Sequence, residues 1–176
     1  DMEGSRGLGD VYKRQRISGK ASNRGTRVHS IVEKYLNNED TTKALPHIRQ
    51  SLENLKPVLD DHIGTIFGLE VPLYSNHLGV AGRCDCIAQY NGVPSIIDFK
   101  TSRYKKKKEK ISNYFAQGAA YSIMWEERTG MVVPNIVIIM DVDHDKPSVF
   151  VEHRDNWTDL LHNTIDEYRK RKMFGH

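Results

Sequence analysis

Three consecutive runs with strand character, Ile66–Tyr74, Gly79–Tyr90 and Ser95–Lys100, are separated only by Ser75-Asn76 and Asn91-Gly92. Connections that short leave no room for a crossover, so the runs are predicted to form an antiparallel meander. Side chains alternate along a strand, which puts Asp98 and Lys100 on one face of the third run and turns Phe99 away. Asn-Gly is a strong hairpin signal, and a hairpin at 91–92 brings Asp85 of the second run beside them.

The rest of the chain reads as helices and two further strands. Ser22 or Asn23 can cap a helix whose apolar positions Val28, Ile31, Val32, Tyr35 and Leu36 recur at helical spacing. His29 and Glu33, four apart, share the flank of that face. After a loop at 37–40, a second helix is expected over Thr42–Ile63, with Pro46 in its first turn and Pro57 kinking or splitting it. A helix over 111–128 carries Tyr114, Phe115, Ala119, Ile123 and Trp125 and stops at Gly130. Asn135–Val142 and Ser148–His153 read as strands, and a last helix from Asp155 places Trp157, Leu160, Leu161, Ile165 and Tyr168 on one stripe. The order α, α, β, β, β, α, β, β, α predicts an α/β chain, an α+β mixed sheet flanked by helices. Ser5–Gln15 reads as an in-frame translation of a sequencing-library adapter end. Residues 1–19 are therefore expected to be a non-native or disordered leader and residues 20–176 a single domain.

Charge is distributed unevenly. The net charge is +3, yet Lys100–Lys110 alone carries +6, leaving −3 for the remainder. Beside paired carboxylates, Arg103, Tyr104 and Lys105–Lys108 are expected to meet a phosphate backbone, the alternative being a solvated face; Tyr104 and Tyr114, flanking the run, are expected either to stack on unpaired bases or to pack in the ordinary way. The second basic run, Arg169–Lys172, is expected to be favourable charge at a helix C-terminus. Cys84 and Cys86, two apart on a strand and expected on one face, read as small buried side chains in a reducing compartment rather than a redox pair. No signal peptide or membrane-spanning segment is evident, so a cytoplasmic location in a bacterial or phage-infected cell is expected.

Two carboxylates can hold a divalent cation through oxygen, and a lysine at its edge can orient or deprotonate water, the minimal equipment for metal-assisted phosphodiester cleavage. Four segments give that reading a family. Gly25-Thr26-Arg27-Val28-His29-Ser30-Ile31-Val32-Glu33, Gly82-Arg83-Cys84-Asp85, Ile97-Asp98-Phe99-Lys100-Thr101-Ser102 and Gln117-Gly118-Ala119-Ala120-Tyr121 occur in this order. Together they resemble the signatures of the PD-(D/E)XK nuclease superfamily. The likeness is to its RecB-like exonuclease branch, which includes mitochondrial genome maintenance exonucleases and related phage and bacterial exonucleases. The resemblance implies a restriction-endonuclease-like αβββαβ core. It implies Mg2+ or Mn2+ held by Asp85, Asp98, the Phe99 carbonyl and His29, with Lys100 positioning or deprotonating water or stabilising transition-state charge. By the same likeness Gln117 and Tyr121 orient Lys100 or a substrate phosphate, Glu33 orients a site residue or helps hold a second metal, and Glu70 adds outer support. The implied activity is a metal-dependent DNA exonuclease acting on single-stranded ends or flaps in replication, repair or recombination, with a helicase partner by family analogy. The alternatives are a structure-specific endonuclease of the same superfamily and a non-catalytic nucleic-acid-binding module.

Overall fold

A computed structural model describes residues 23–174, so the expectations for the leader, the adapter-like segment and a Ser22 cap lie outside the described residues. The described backbone divides into two compact units, 23–52 and 53–174. In the first, helix α1 (23–36) buries Val28, Ile31 and Val32, the apolar positions its periodicity picks out. It ends where Asn38 adopts a left-handed φ of 57° and the Glu39 N–H bonds the Lys34 carbonyl at 2.8 Å. Helix α2 (Pro46–His62) begins in this unit, four residues after the expected start at Thr42, so that Pro46 takes its first position. The expectation that Pro57 would split it fails in that form, because the helix runs unbroken through Pro57. Burial of Leu52, Leu55 and Leu59 on either side offsets the roughly 3 kcal/mol that an interior proline costs.

The second unit is built on one five-stranded mixed sheet in the order β1-β2-β3-β4-β5. Its strands are β1 (Ile63–Ser75), β2 (Val80–Tyr90), β3 (Val93–Ser102), β4 (Asn135–Val142) and β5 (Ser148–His153). The first three form the antiparallel meander the turn signals predicted, with Asn91 and Gly92 at φ 50° and 81°, the positive values a type I′ turn requires. A crossover through helix α3 (Ser112–Thr129) then makes β4 parallel to β3, and β5 returns antiparallel. The closing helix is α4 (Thr158–Phe174). The chain is thus α/β with a mixed sheet and flanking helices, in the predicted element order.

Helices α3 and α4 cover one sheet face. Phe115, Ala119, Met124, Leu161 and Ile165 pack there with Ile87, Ile96, Ile136, Ile138 and Met140. The approach of α3 is close because residue 118 is glycine: a Cβ there would lie 2.5 Å from Ile136 Cγ2. The stripe predicted for the last helix is shorter than expected, since Tyr168 is 64% exposed beyond the edge of this core. Ile97, Phe99, Val137 and Ile139 are also buried, so the parallel pair is shielded on both faces, as parallel strands require. No helix among the described residues is long and apolar enough to cross a membrane.

Candidate active site

Pairing between β2 and β3 runs from Tyr90↔Val93 to Cys86↔Ile97 and stops there. Asp85 and Asp98 are the next residues on the parting strands, and a side chain replaces the missing ladder bond: Asp85 Oδ2 accepts the Phe99 N–H at 2.9 Å. In an extended strand the N–H and C=O of one residue point to the same edge, so the Phe99 carbonyl is directed into the same gap. Regular alternation also fails on β2. Cys84 and Ile87 belong to one core cluster although their positions have opposite parity. Facing that irregularity on β1, between the partners Leu69↔Cys86 and Val71↔Cys84, Glu70 holds a left-handed φ of 48°. Such a conformation costs a non-glycine residue roughly 1–2 kcal/mol. It accompanies a close approach of acids, with a Glu70 and an Asp85 carboxylate oxygen within 4.8 Å of each other.

Asp98 and Lys100 share a face, as alternation predicts, and Lys100 Nζ lies 3.0 Å from Asp98 Oδ2. This is an ion pair whose angle is poor for a hydrogen bond, because the same oxygen has no partner of good hydrogen-bond geometry. Burial first, then a hydrogen bond to Asp85 and that residue's charge, push the Asp98 carboxyl up from 3.8 to about 8, against the opposing pull of Lys100. For Lys100, burial favours the neutral amine, but the charge of the adjacent Asp98 and then that of Asp85 outweigh it and raise its pKa. Lys100 is therefore a cation, and its Nζ also sits 4.5 Å from the centroid of the Tyr114 ring.

Tyr121 projects from α3 and is 7% exposed. Burial above all, with the charge that Asp98 and Asp85 carry once ionised, pushes its hydroxyl up to about 12, a backbone hydrogen bond with Arg83 opposing them, so it remains a neutral O–H. Gly82 admits the ring, since a Cβ at that position would lie 2.8 Å from Tyr121 Oη and 2.9 Å from Cε1. Two segments 39 positions apart are thus one packing unit. Cys84 and Cys86 are free and buried; burial raises both thiols, that of Cys86 to about 12, which keeps them neutral.

The remaining sequence-predicted residues are placed as follows. His29 and Glu33 are half-buried, one turn apart on α1 in the first unit. Gln117 is one turn before Tyr121 on α3 but exposed. Arg103–Lys108 is exposed, and its start is fixed by Ser102, whose Oγ donates to the Tyr104 carbonyl at 2.6 Å. Tyr104 itself is 76% exposed. Lys105 pairs with Asp145 at 3.4 Å and Lys108 with Glu152 at 2.8 Å, whereas Arg103, Lys106 and Lys107 form no ion pair among the described residues. Sequence reasoning missed the contact of Tyr114 with Lys100 and understated Glu70. The available signal was a lone acid in the otherwise uncharged run Ile66-Phe67-Gly68-Leu69-Glu70-Val71.

The donor set suits a hard divalent cation. Burial of Asp98 first, and then its contact with a second carboxyl that repels it once ionised, make it hold its proton to about pH 8. A cation bound by both removes that cost. The carboxylates and the main-chain carbonyl offer oxygen, the donor type that Mg2+ and Mn2+ favour.

No family model matches the chain, and no curated protein matches it. Among solved structures, the chain is similar to a crystal structure of a protein from Eubacterium rectale provisionally named as an exonuclease. The two share 15% identity and a TM-score of 0.57 over 84% of this chain. The chain spans 65% of that protein's length. The structure of SSO0001 is similar at 18% identity over 76% of this chain and 62% of its own, with a TM-score of 0.40, too remote to carry an argument. At this level of identity the first likeness is one of fold, and the fold it shares is the mixed sheet flanked by helices on which the acids are mounted.

Proposed function

We propose that the chain is a Mg2+- or Mn2+-dependent deoxyribonuclease of the PD-(D/E)XK kind, hydrolysing phosphodiester bonds at single-stranded ends. The observation that carries the reading is the half-buried Asp85–Asp98 pair with Lys100 3.0 Å from Asp98, at the point where β2 and β3 part. The fold likeness to a protein named as an exonuclease and the four ordered sequence segments support it. In this reading Asp85, Asp98 and the Phe99 carbonyl hold the ion with Glu70 beside them, and His29 is a further ligand on the strength of its sequence motif.

When bound, the ion supplies positive charge to the phosphate and acidity to water. The chain does the rest. Asp85 is aimed by the Phe99 N–H, and Asp98, protonated in the metal-free fold, would hold the ion as the carboxylate. Lys100, being charged, acts as a hydrogen-bond donor to water or a phosphate oxygen rather than as a base, and the Tyr114 ring steadies it. The neutral Tyr121 hydroxyl packs against Gly82 and keeps α3 in register with the acids. Gln117 is exposed and free to meet a phosphate. Lys106, Lys107 and Arg103 attract the strand's backbone, and Tyr104 stacks on an unpaired base. Hydrolysis forms one P–O bond to water oxygen and breaks one to the bridging oxygen, which leaves with a proton.

End-labelled linear and circular single-stranded DNA of one sequence, incubated with Mg2+, test the reading. Wild type is expected to degrade the linear form and spare the circle, with both Asp98→Ala and Lys100→Ala reducing the rate by at least about 100-fold. Equal degradation by wild type and both variants overturns the assignment. Cleavage of the circle makes the enzyme an endonuclease, and binding without cleavage makes the chain a nucleic-acid-binding module.

A further inference from the structure

A second concave site lies wholly within the first unit. Arg27, Ser30, Ile31 and Lys34, at helical spacing on α1, form one wall of a cavity of about 410 Å³, and Asp40, Thr41, Lys43, Leu45 and Ile48 form the other. That volume falls in the range of small-ligand sites, roughly 300–1,000 Å³. The loop wall is ordered by its own bonds. Asp40 Oδ1 accepts from the Thr42 N–H at 2.9 Å and from Thr42 Oγ1 at 2.6 Å, and the Ile48 and Arg49 N–H groups both bond the Leu45 carbonyl at 3.0 Å.

The lining has two characters. Ile31 and Ile48 are buried, and Leu45 is 47% exposed, giving an apolar floor. Around it stand three cations, Arg27, Lys34 and Lys43, and the hydroxyls of Ser30 and Thr41. None of the three cations forms an ion pair among the described residues; the one acid of the lining, Asp40, has its Oδ1 occupied by Thr42 and feels the charge of Lys34 only as the weakest of its interactions. An excess of two positive charges over an apolar floor selects an anion with a hydrophobic body. Arginine's planar fork suits phosphate oxygens in particular, and the hydroxyls suit a sugar.

We infer that this cavity binds a nucleoside phosphate, the phosphate held by Arg27, Lys34 and Lys43 and the nucleoside lying over Ile31, Leu45 and Ile48. The ligand is either a free nucleotide or one nucleotide of a strand. The site requires no metal and stands whether or not the nuclease reading does.

The probes are dAMP and a single-stranded oligonucleotide, titrated by calorimetry into protein kept metal-free with EDTA. Wild type, Arg27→Gln/Lys43→Gln and Asp98→Asn are compared, with thermal melts confirming that each is folded. Removing two charge-assisted hydrogen bonds is expected to weaken dAMP binding by about tenfold or more while Asp98→Asn leaves it unchanged. A parallel loss with the oligonucleotide identifies a strand as the source, and a loss confined to dAMP identifies a free nucleotide; both support the site. Failure of wild type to bind either probe, or equal binding by wild type and the double variant, overturns it. Should the double variant melt early, Lys34→Gln, exposed on α1, takes its place with the same criteria.

Discussion

At the scale of single residues, Asp98 carries an unusual cost. Its carboxyl holds a proton up to about pH 8 instead of 3.8, so the metal-free fold binds that proton more tightly than the unfolded chain does. The stability this confers is full below pH 3.8 and is lost as pH rises to about 8. Asp98→Asn is therefore expected to be more stable than wild type at pH 8 in EDTA, because the amide has no charge to bury there. The difference is expected to vanish near pH 4; urea denaturation at the two pH values measures it. A pH-independent difference would contradict the raised pKa. Gly82 is held to glycine by the Tyr121 ring, and Gly82→Ala is expected to cost about 1–3 kcal/mol. In a Tyr121→Ala background that cost should largely disappear, which a double-mutant cycle in denaturant checks.

At the scale of elements, α3 is the part that fits the site to the sheet, and Gly118 sets its distance. Gly118→Ala puts a Cβ 2.5 Å from Ile136 Cγ2 and is expected to cost about 1–3 kcal/mol, with partial recovery in Gly118→Ala/Ile136→Ala. Because α3 also carries Tyr114 and Tyr121, this variant should lose activity under conditions where circular dichroism shows it fully folded. The elements were largely legible in the sequence, because alternation and turn residues are local. Asn91-Gly92 marks its hairpin by the φ values it tolerates, and Asp98-Phe99-Lys100 declares which two side chains share a face. Features that depend on distant partners were not legible. The interrupted alternation from Cys84 to Ile87 and the left-handed Glu70 arise from two strands adjusting to each other. The engagement of Lys105 and Lys108 depends on Asp145 and Glu152, about 40 residues further on, which no reading of the lysine run reveals. Tyr168 fits a helical period yet lies beyond the core that would bury it. Gln117 and Tyr121 were expected to face one side, and helical spacing says nothing about where the covered area ends.

At the scale of the molecule, the distribution of charge matters more than its net value. With Lys105 and Lys108 engaged, Arg103, Lys106 and Lys107 are the cations of that loop that the proposed function assigns to a phosphate backbone. Lys106→Ala/Lys107→Ala is expected to weaken single-stranded DNA binding at low salt and to flatten the plot of log affinity against log salt by about 0.7 for each phosphate no longer neutralised. Lys105→Ala should change the slope less; fluorescence anisotropy across a salt series distinguishes them. The central claim, that the parted ends of β2 and β3 form a divalent cation site, has a more direct test. Metal-free protein is titrated with Mn2+ at pH 7 by calorimetry, in two buffers of different ionisation enthalpy. Because Asp98 is protonated below about pH 8, binding is expected to release about one proton, and affinity is expected to rise up to that pH. Both the binding heat and the proton release should vanish in Asp85→Ala. Absence of Mn2+ binding, or binding that Asp85→Ala leaves intact, would contradict the account.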